Sequence, residues 1–175
     1  MALNRTQMVW ILAVFLVIVV ADQATKAIIS ANIEKDSVYT TTHEGEFFWL
    51  VHQRNPGLVG GMFSNMPAVV FVAPILAMGV LLYLLRHLDK NSKVQAAAFG
   101  LVAGGAIGNM IDRVFRGEVV DFLQFHFHFV PFNFPWKLYP AFNVADSAIC
   151  TGVLLLVITW RDVKPEEPGD AADTA

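Results

Sequence analysis

Nineteen consecutive residues, Pro67 to Leu85, carry no charged side chain, and three comparable apolar runs share the chain: Met8 to Ala21, Val94 to Ile111 and Ala145 to Trp160. About 20 apolar residues are what a helix needs to cross the hydrocarbon core. In lipid every backbone N–H and C=O must be satisfied within the protein, so such runs are restricted to helices. With 55% apolar and only 15% charged residues, the rest of the chain agrees with a membrane class. The expected fold is an all-α membrane protein with four transmembrane helices at approximately 7–29, 67–86, 94–112 and 143–161, in one membrane-embedded unit covering 1–163. The first run follows a short polar start with Arg5, but no small-x-small cleavage site comes after it, so it reads as a retained anchor.

The third span is rich in small residues, among them Gly100, Ala103, Gly104 and Gly108. Small residues let helices approach closely in lipid, which makes this span the expected centre of the bundle. Lys and Arg tie at six on each side of the four-span topology, but Arg86, Lys90 and Lys93 crowd the short link between spans two and three. Basic residues in short loops weigh most, so that link and both termini are expected in the cytoplasm. The acidic tail 164–175 lacks large apolar residues and is expected to be disordered. Outside, residues 37 to 53 mix β-formers with Gly45 as a turn, so a small extracytoplasmic β-rich region is expected there. The stretch from Phe122 to Tyr139 interleaves Phe, His, Trp and Tyr, a composition suited to the headgroup level. A net charge of −3 without a basic block argues against a nucleic-acid partner. Cys150, alone and within an apolar run, reads as buried filler.

Polar residues concentrate at the outer ends of the spans. Asp22 and Lys26 close span one, Asn55 leads into span two, Asn109, Asp112 and Arg113 close span three, and Asn143 and Asp146 open span four. Asn109 and Asp112 are three residues apart, as are Asn143 and Asp146, so each pair shares a helix side. Asp121 follows span three after a link that Gly117 can turn. Carboxylates near lipid are costly and point to function. Two of them brought together tend to share one proton, which is the state an aspartic peptidase uses to activate water and protonate the leaving group. Spacing alone leaves two readings open for Asp121 and Asp146: a catalytic dyad, or ion pairs with Arg113 and Arg116 that hold the bundle together. A metal site built from His126, His128 and the outer aspartates is the weaker rival, since alternation with Phe also describes an interfacial strand and no third firm ligand is signposted.

Five ordered tracts carry a resemblance: Asp22-Gln-Ala-Thr-Lys26, Asn55-x-Gly57, Gly104-Gly-Ala-Ile-Gly-Asn-Met-Ile-Asp-Arg113, Val120-Asp-Phe122 and Phe142-Asn-Val-Ala-Asp-Ser147. In these the chain resembles the lipoprotein signal peptidase (signal peptidase II) family of bacterial membrane aspartyl peptidases. The resemblance implies that Asp121 and Asp146 are the catalytic pair. It implies that Asn55, Gly57, Asn109, Arg113 and Asn143 line the site and bind substrate or orient the pair, with Asp22, Lys26 and Asp112 bracing it. The implied substrate is a diacylglyceryl-modified prolipoprotein cut before its lipid-modified cysteine, with membrane lipid as the other partner. It further implies no cofactor and no metal, and a bacterial inner-membrane location with the site near the extracytoplasmic face; the chain is expected to act as a monomer. Two stretches depart from the family pattern: Leu58-Val-Gly-Gly-Met-Phe63, and the extra Phe-His-Phe-His-Phe129 material between the two aspartates.

Overall fold

The computed structural model describes residues 3–39, 47–89, 91–135 and 137–160. Within them lie four helices, α1 (Arg5–Asn32), α2 (Pro67–Leu84), α3 (Lys93–Arg116) and α4 (Val144–Trp160), and three strands, β1 (Ser37–Val38), β2 (Phe48–Asn55) and β3 (Val119–Phe125). The helices containing the first three apolar runs are long and apolar enough to cross a membrane, and α4 supplies a shorter apolar helix. The expected turn at Gly45, the tail 164–175 and the basic residues Lys90, Arg161 and Lys164 lie outside the described residues.

The third span is central. In its most apolar window 61% of residues are buried inside the protein, against 6% for the first span and 11% for the second. Glycine is the reason α1 and α4 come so near α3: a Cβ on Gly100 would lie 2.7 Å from Ile11 O, and one on Gly104 would lie 2.9 Å from Ile18 Cβ. On the α4 side, a Cβ on Gly152 would meet Ala98 O at 2.7 Å. Gly108 faces the side chain of Asp22, which a Cβ there would approach to 2.6 Å. Gly108→Ala is therefore expected to destabilise the protein by about 1–3 kcal/mol, read as a lower melting temperature in detergent. Gly79→Ala on α2, where nothing lies within 4 Å, is the control and should hold or raise stability.

At the end of the bundle where α3 begins, neutral amides form a buried polar network that the sequence analysis does not single out. Gln7 and Gln95 are buried. Gln7 completes a capping box with Asn4 and donates to Asp89 O at 2.9 Å. Gln95 accepts from Asp89 N at 2.8 Å and donates to Thr159 O at 3.1 Å. Three helices and the link between α2 and α3 are thereby joined at that end. Cys150 also differs from expectation: it is exposed on α4, because Gly152 and Ala148 turn the small-residue side of that helix toward the core.

At the opposite end, where α3 finishes, the strands form one antiparallel sheet in the order β1-β2-β3. The β content expected within 37–53 is present in the described part of that range. β3 was not anticipated, although Val119-Val-Asp-Phe-Leu-Gln-Phe125 is rich in β-formers. Gly117, in the left-handed region at φ 78°, ends α3 and directs the chain into β3. The register shifts between Leu50 and Gln53, a bulge that places Gln53 opposite Asp121. Beneath the sheet, Val120 and Phe122 pack on Ile29 of α1 and on Ile33, which caps that helix. Alternation along β3 then turns Asp121 to the opposite face.

Beyond β3 the aromatic segment folds back on the sheet. Tyr139 N donates to Phe125 O at 2.9 Å and Phe127 N to Lys137 O at 2.8 Å. His126 stacks on Trp49 with ring centroids 3.7 Å apart, whereas exposed His128 meets Phe129 edge-on. The two histidines thus serve separate ring contacts.

Candidate active site

Asp121 and Asp146 are brought to one place by a single asparagine. Asn143 donates through Nδ2 to Asp121 Oδ1 at 2.7 Å. Its side-chain oxygen accepts from Asp146 N at 2.9 Å, while Asp146 Oδ2 accepts from Asn143 N at 3.2 Å. This reciprocal pair is a capping box at the start of α4, with an aspartate in the position more often held by Glu or Gln. The sequence folds this way locally because Asn is a favoured N-cap and a carboxylate suits the positive end of the helix dipole. One carboxylate therefore sits in the first turn of α4, and the other on β3.

Amides complete the surroundings. Asn55 donates to Asp121 Oδ2 at 3.0 Å, and Asn109 donates to Asp146 Oδ1 at 2.7 Å. Among the described residues neither Asp121 nor Asp146 forms an ion pair. Arg116 pairs with Asp112 instead. Arg113 donates to two carbonyls, Gly57 O at 3.0 Å and Asn109 O at 3.2 Å. The ion-pair alternative for the two aspartates thus has no support in the geometry. Burial pushes the Asp121 carboxyl up to about 7, and the nearby charge of Asp146 adds to this; hydrogen bonds from Asn55 and Asn143 and the charge of Lys26 oppose it. A carboxyl that holds its proton near neutrality can act as a general acid.

The turn after β2 is held against this cluster. Asn55 Oδ1 accepts from Gly57 N at 2.9 Å, and its amide also donates to Leu58 O at 3.0 Å. Leu58 N in turn donates to Met62 O at 2.7 Å, so the atypical 58–63 stretch closes into a compact turn with Gly60 and Gly61 in the left-handed region. A cavity of about 300 Å³ opens beside it, lined by Gln53, Arg54, Asn55, Pro56, Gly60, Gly61, Asp121, Pro140 and Ala141. Asp121 lines this cavity; Asp146 connects to it through Asn143.

The remaining residues singled out from sequence form a second, fully buried cluster. Lys26 lies 2.9 Å from Asp22 and 3.0 Å from Asp112, and it donates to Asn109 Oδ1 at 2.9 Å. Gln23 belongs to the same cluster and was not singled out. It donates to Gly108 O at 3.0 Å and to Asp22 at 3.1 Å, and accepts from Arg116 at 3.0 Å. Its place inside the Asp22-to-Lys26 tract was the available signal. Gln53 was also passed over, because only the bulged register puts it across from Asp121.

Comparison with known proteins gives a consistent picture. A family model described as signal peptidase (SPase) II matches residues 14–161. A lipoprotein signal peptidase of Bacillus pumilus (strain SAFR-032) is 39% identical over 142 residues, covering 81% of this chain and 86% of that protein. A bacterial membrane enzyme solved by the in meso method at 2.3 Å superposes with a TM-score of 0.72 at 29% identity, over 90% of this chain and 93% of the other. A second, solved at 1.9 Å, gives a TM-score of 0.67 at 28% identity, over 88% and 94%.

Proposed function

The chain belongs to the signal peptidase II family, and from that premise we propose that Asp121 and Asp146 are the catalytic pair of a lipoprotein signal peptidase. The protein is a membrane aspartic peptidase. The observation that carries the residue assignment is the shared Asn143, which binds one carboxylate and caps the helix that bears the other. Asp146, in the first turn of α4, is the ionised member and takes a proton from water. The water oxygen attacks the scissile carbonyl while Asp121, still protonated, donates to the carbonyl oxygen. As the tetrahedral intermediate collapses, one of its hydroxyls returns a proton to Asp121 and becomes the new carbonyl, the C–N bond breaks, and the proton held by Asp146 passes to the leaving amine. Activity falls above about pH 7 as Asp121 loses its proton.

Asn55, Asn109 and Asn143 orient the pair in this reading, and Arg113 with Gly57 holds the turn that borders the cavity. Residues 1–163 act as one membrane-embedded peptidase unit, monomeric in the bacterial inner membrane, with the termini cytoplasmic and the site near the extracytoplasmic face. The substrate is a diacylglyceryl-modified prolipoprotein cut before the modified cysteine. Such a substrate stays in the bilayer, and the placement of one carboxylate in the first turn of α4 and the other on the strand that follows α3 suits it. Purified protein is expected to cleave the lipid-modified prolipoprotein at least about 100-fold faster than the unmodified one, the two differing in binding energy supplied by the acyl chains. Equal rates on both would overturn the substrate assignment.

A further inference from the structure

β2 and β3 pair regularly from Phe48 and Phe125 to Leu50 and Leu123, and pairing resumes with Gln53 opposite Asp121. Val51 and His52 therefore stand against Phe122 alone, two residues against one, which is the form of a β-bulge. In an unbroken register His52 would be the partner of Asp121. Instead His52 is buried, and its Nδ1 donates to Ile33 O at 2.7 Å, at the C-cap of α1. A helix end leaves such carbonyls without an intrahelical donor, so the imidazole satisfies the helix and fixes the bulge in one contact. Gln53, the next residue, is thereby delivered to the carboxylate.

Gln53 is exposed and lines the cavity beside Asp121, and among the described residues its carboxamide has no hydrogen-bond partner. The other polar side chains of that cavity are committed. Asn55 spends its oxygen on Gly57 N and its NH2 group on Asp121 and Leu58 O. Arg54 reaches Ser30 on α1. Pro56, Gly60, Gly61, Pro140 and Ala141 supply walls without a polar side chain. We propose that Gln53 is a substrate-binding residue that hydrogen-bonds a main-chain peptide unit flanking the scissile bond, an inference that rests on the reading of Asp121 as catalytic. Partners directly opposite in an antiparallel pair have Cβ atoms about 4.5–5.5 Å apart, and an extended chain advances about 3.3 Å per residue. A carbonyl held at Asp121 thus brings the adjoining peptide unit within reach of Gln53. The carboxamide carries one donor group and one acceptor, the complement of a peptide C=O and N–H. A peptide unit taken from water into this cavity without such a partner would be left unsatisfied, at a cost to binding.

The test uses Gln53→Met, which keeps the length of the side chain and removes both hydrogen-bonding groups. Wild type and variant, purified in detergent, are compared on lipid-modified prolipoprotein and on two versions of it in which an ester replaces the peptide unit on one or the other side of the scissile bond. On the all-amide substrate Gln53→Met is expected to lose about 10-fold in kcat/KM. One of the two esters should cost the wild type a similar factor and cost the variant nothing further, which is the coupling that a direct contact requires. The melting temperature should be unchanged, since the side chain is exposed and unbonded. Wild-type kcat/KM in the variant, or equal ester penalties in both proteins at both positions, would overturn the proposal. A loss of activity accompanied by a lowered melting temperature would overturn it too, making Gln53 a residue of the sheet only. Cleavage by Asp121→Asn would instead remove the catalytic reading, a failure separate from any loss of coupling at Gln53.

Discussion

Asp121→Asn is expected to leave a folded protein that cleaves lipid-modified prolipoprotein about 10³–10⁴-fold more slowly than the unaltered chain, and Asp146→Asn to do the same. An amide neither takes the proton from water nor passes one on at neutral pH. The two variants should differ in stability. The Asp121 carboxyl keeps its proton up to about pH 7 in the folded protein, against an ordinary value of 3.8. Between these pH values the folded state binds more protons than the unfolded one, so this group's contribution is fully present below about pH 4 and is lost as the pH rises through 7. Asparagine removes that dependence. It also loses one bond, because Asn55 already spends its side-chain oxygen on Gly57 N and so presents only N–H to position 121. At pH 8 the net outcome is a gain of roughly 1–2 kcal/mol for Asp121→Asn, read from thermal unfolding in detergent at pH 5 and pH 8. Retained cleavage in either variant would sink the assignment; equal stability at both pH values would sink the burial argument.

Why these two carboxylates could be found in the sequence is a matter of contrast. Apolar runs of the length of Pro67–Leu85 have one structural solution in lipid, and polar tracts at their ends stand out against them. The i, i+4 relation of Asp22 and Lys26 within α1 is likewise visible in one dimension. That Lys26 also reaches Asp112 and Asn109 is not visible, because those contacts follow from the glycine-mediated approach of α1 to α3. β3 went unread for a related reason: seven residues with an aspartate among them look like a linker until β2 pairs with them. Gln7 and Gln95 were missed because neutral amides carry no hydropathy signal that separates a buried network from a wet helix end. Arg113 was read as a residue lining the site, and its bonds run to the carbonyls of Gly57 and Asn109. Its contribution to the cavity is therefore made through the turn at 57–62.

Asn143→Ala is expected to lower kcat about 100-fold and to cost about 2–3 kcal/mol of stability, effects that a pair of substitutions at this one position can separate. The stability loss has two sources. Removing an N-cap costs about 1 kcal/mol, and Asn109 Oδ1 and Val120 O each lose a donor in a fully buried setting. The catalytic loss comes from Asp121, which gives up its 2.7 Å bond and with it the link to the helix that carries Asp146. A displacement of about 1 Å between reacting groups is enough for a 100-fold effect. Asn143→Ser keeps a side-chain oxygen that can accept from Asp146 N, so it should recover most of the capping energy. It has no NH2 group to span Asp121 and Asn109 together, so its kcat should stay near that of Asn143→Ala. If serine restores stability and activity alike, Asn143 serves α4 only as a cap. If it restores stability alone, the amide is what couples the carboxylate of the strand to the carboxylate of the helix.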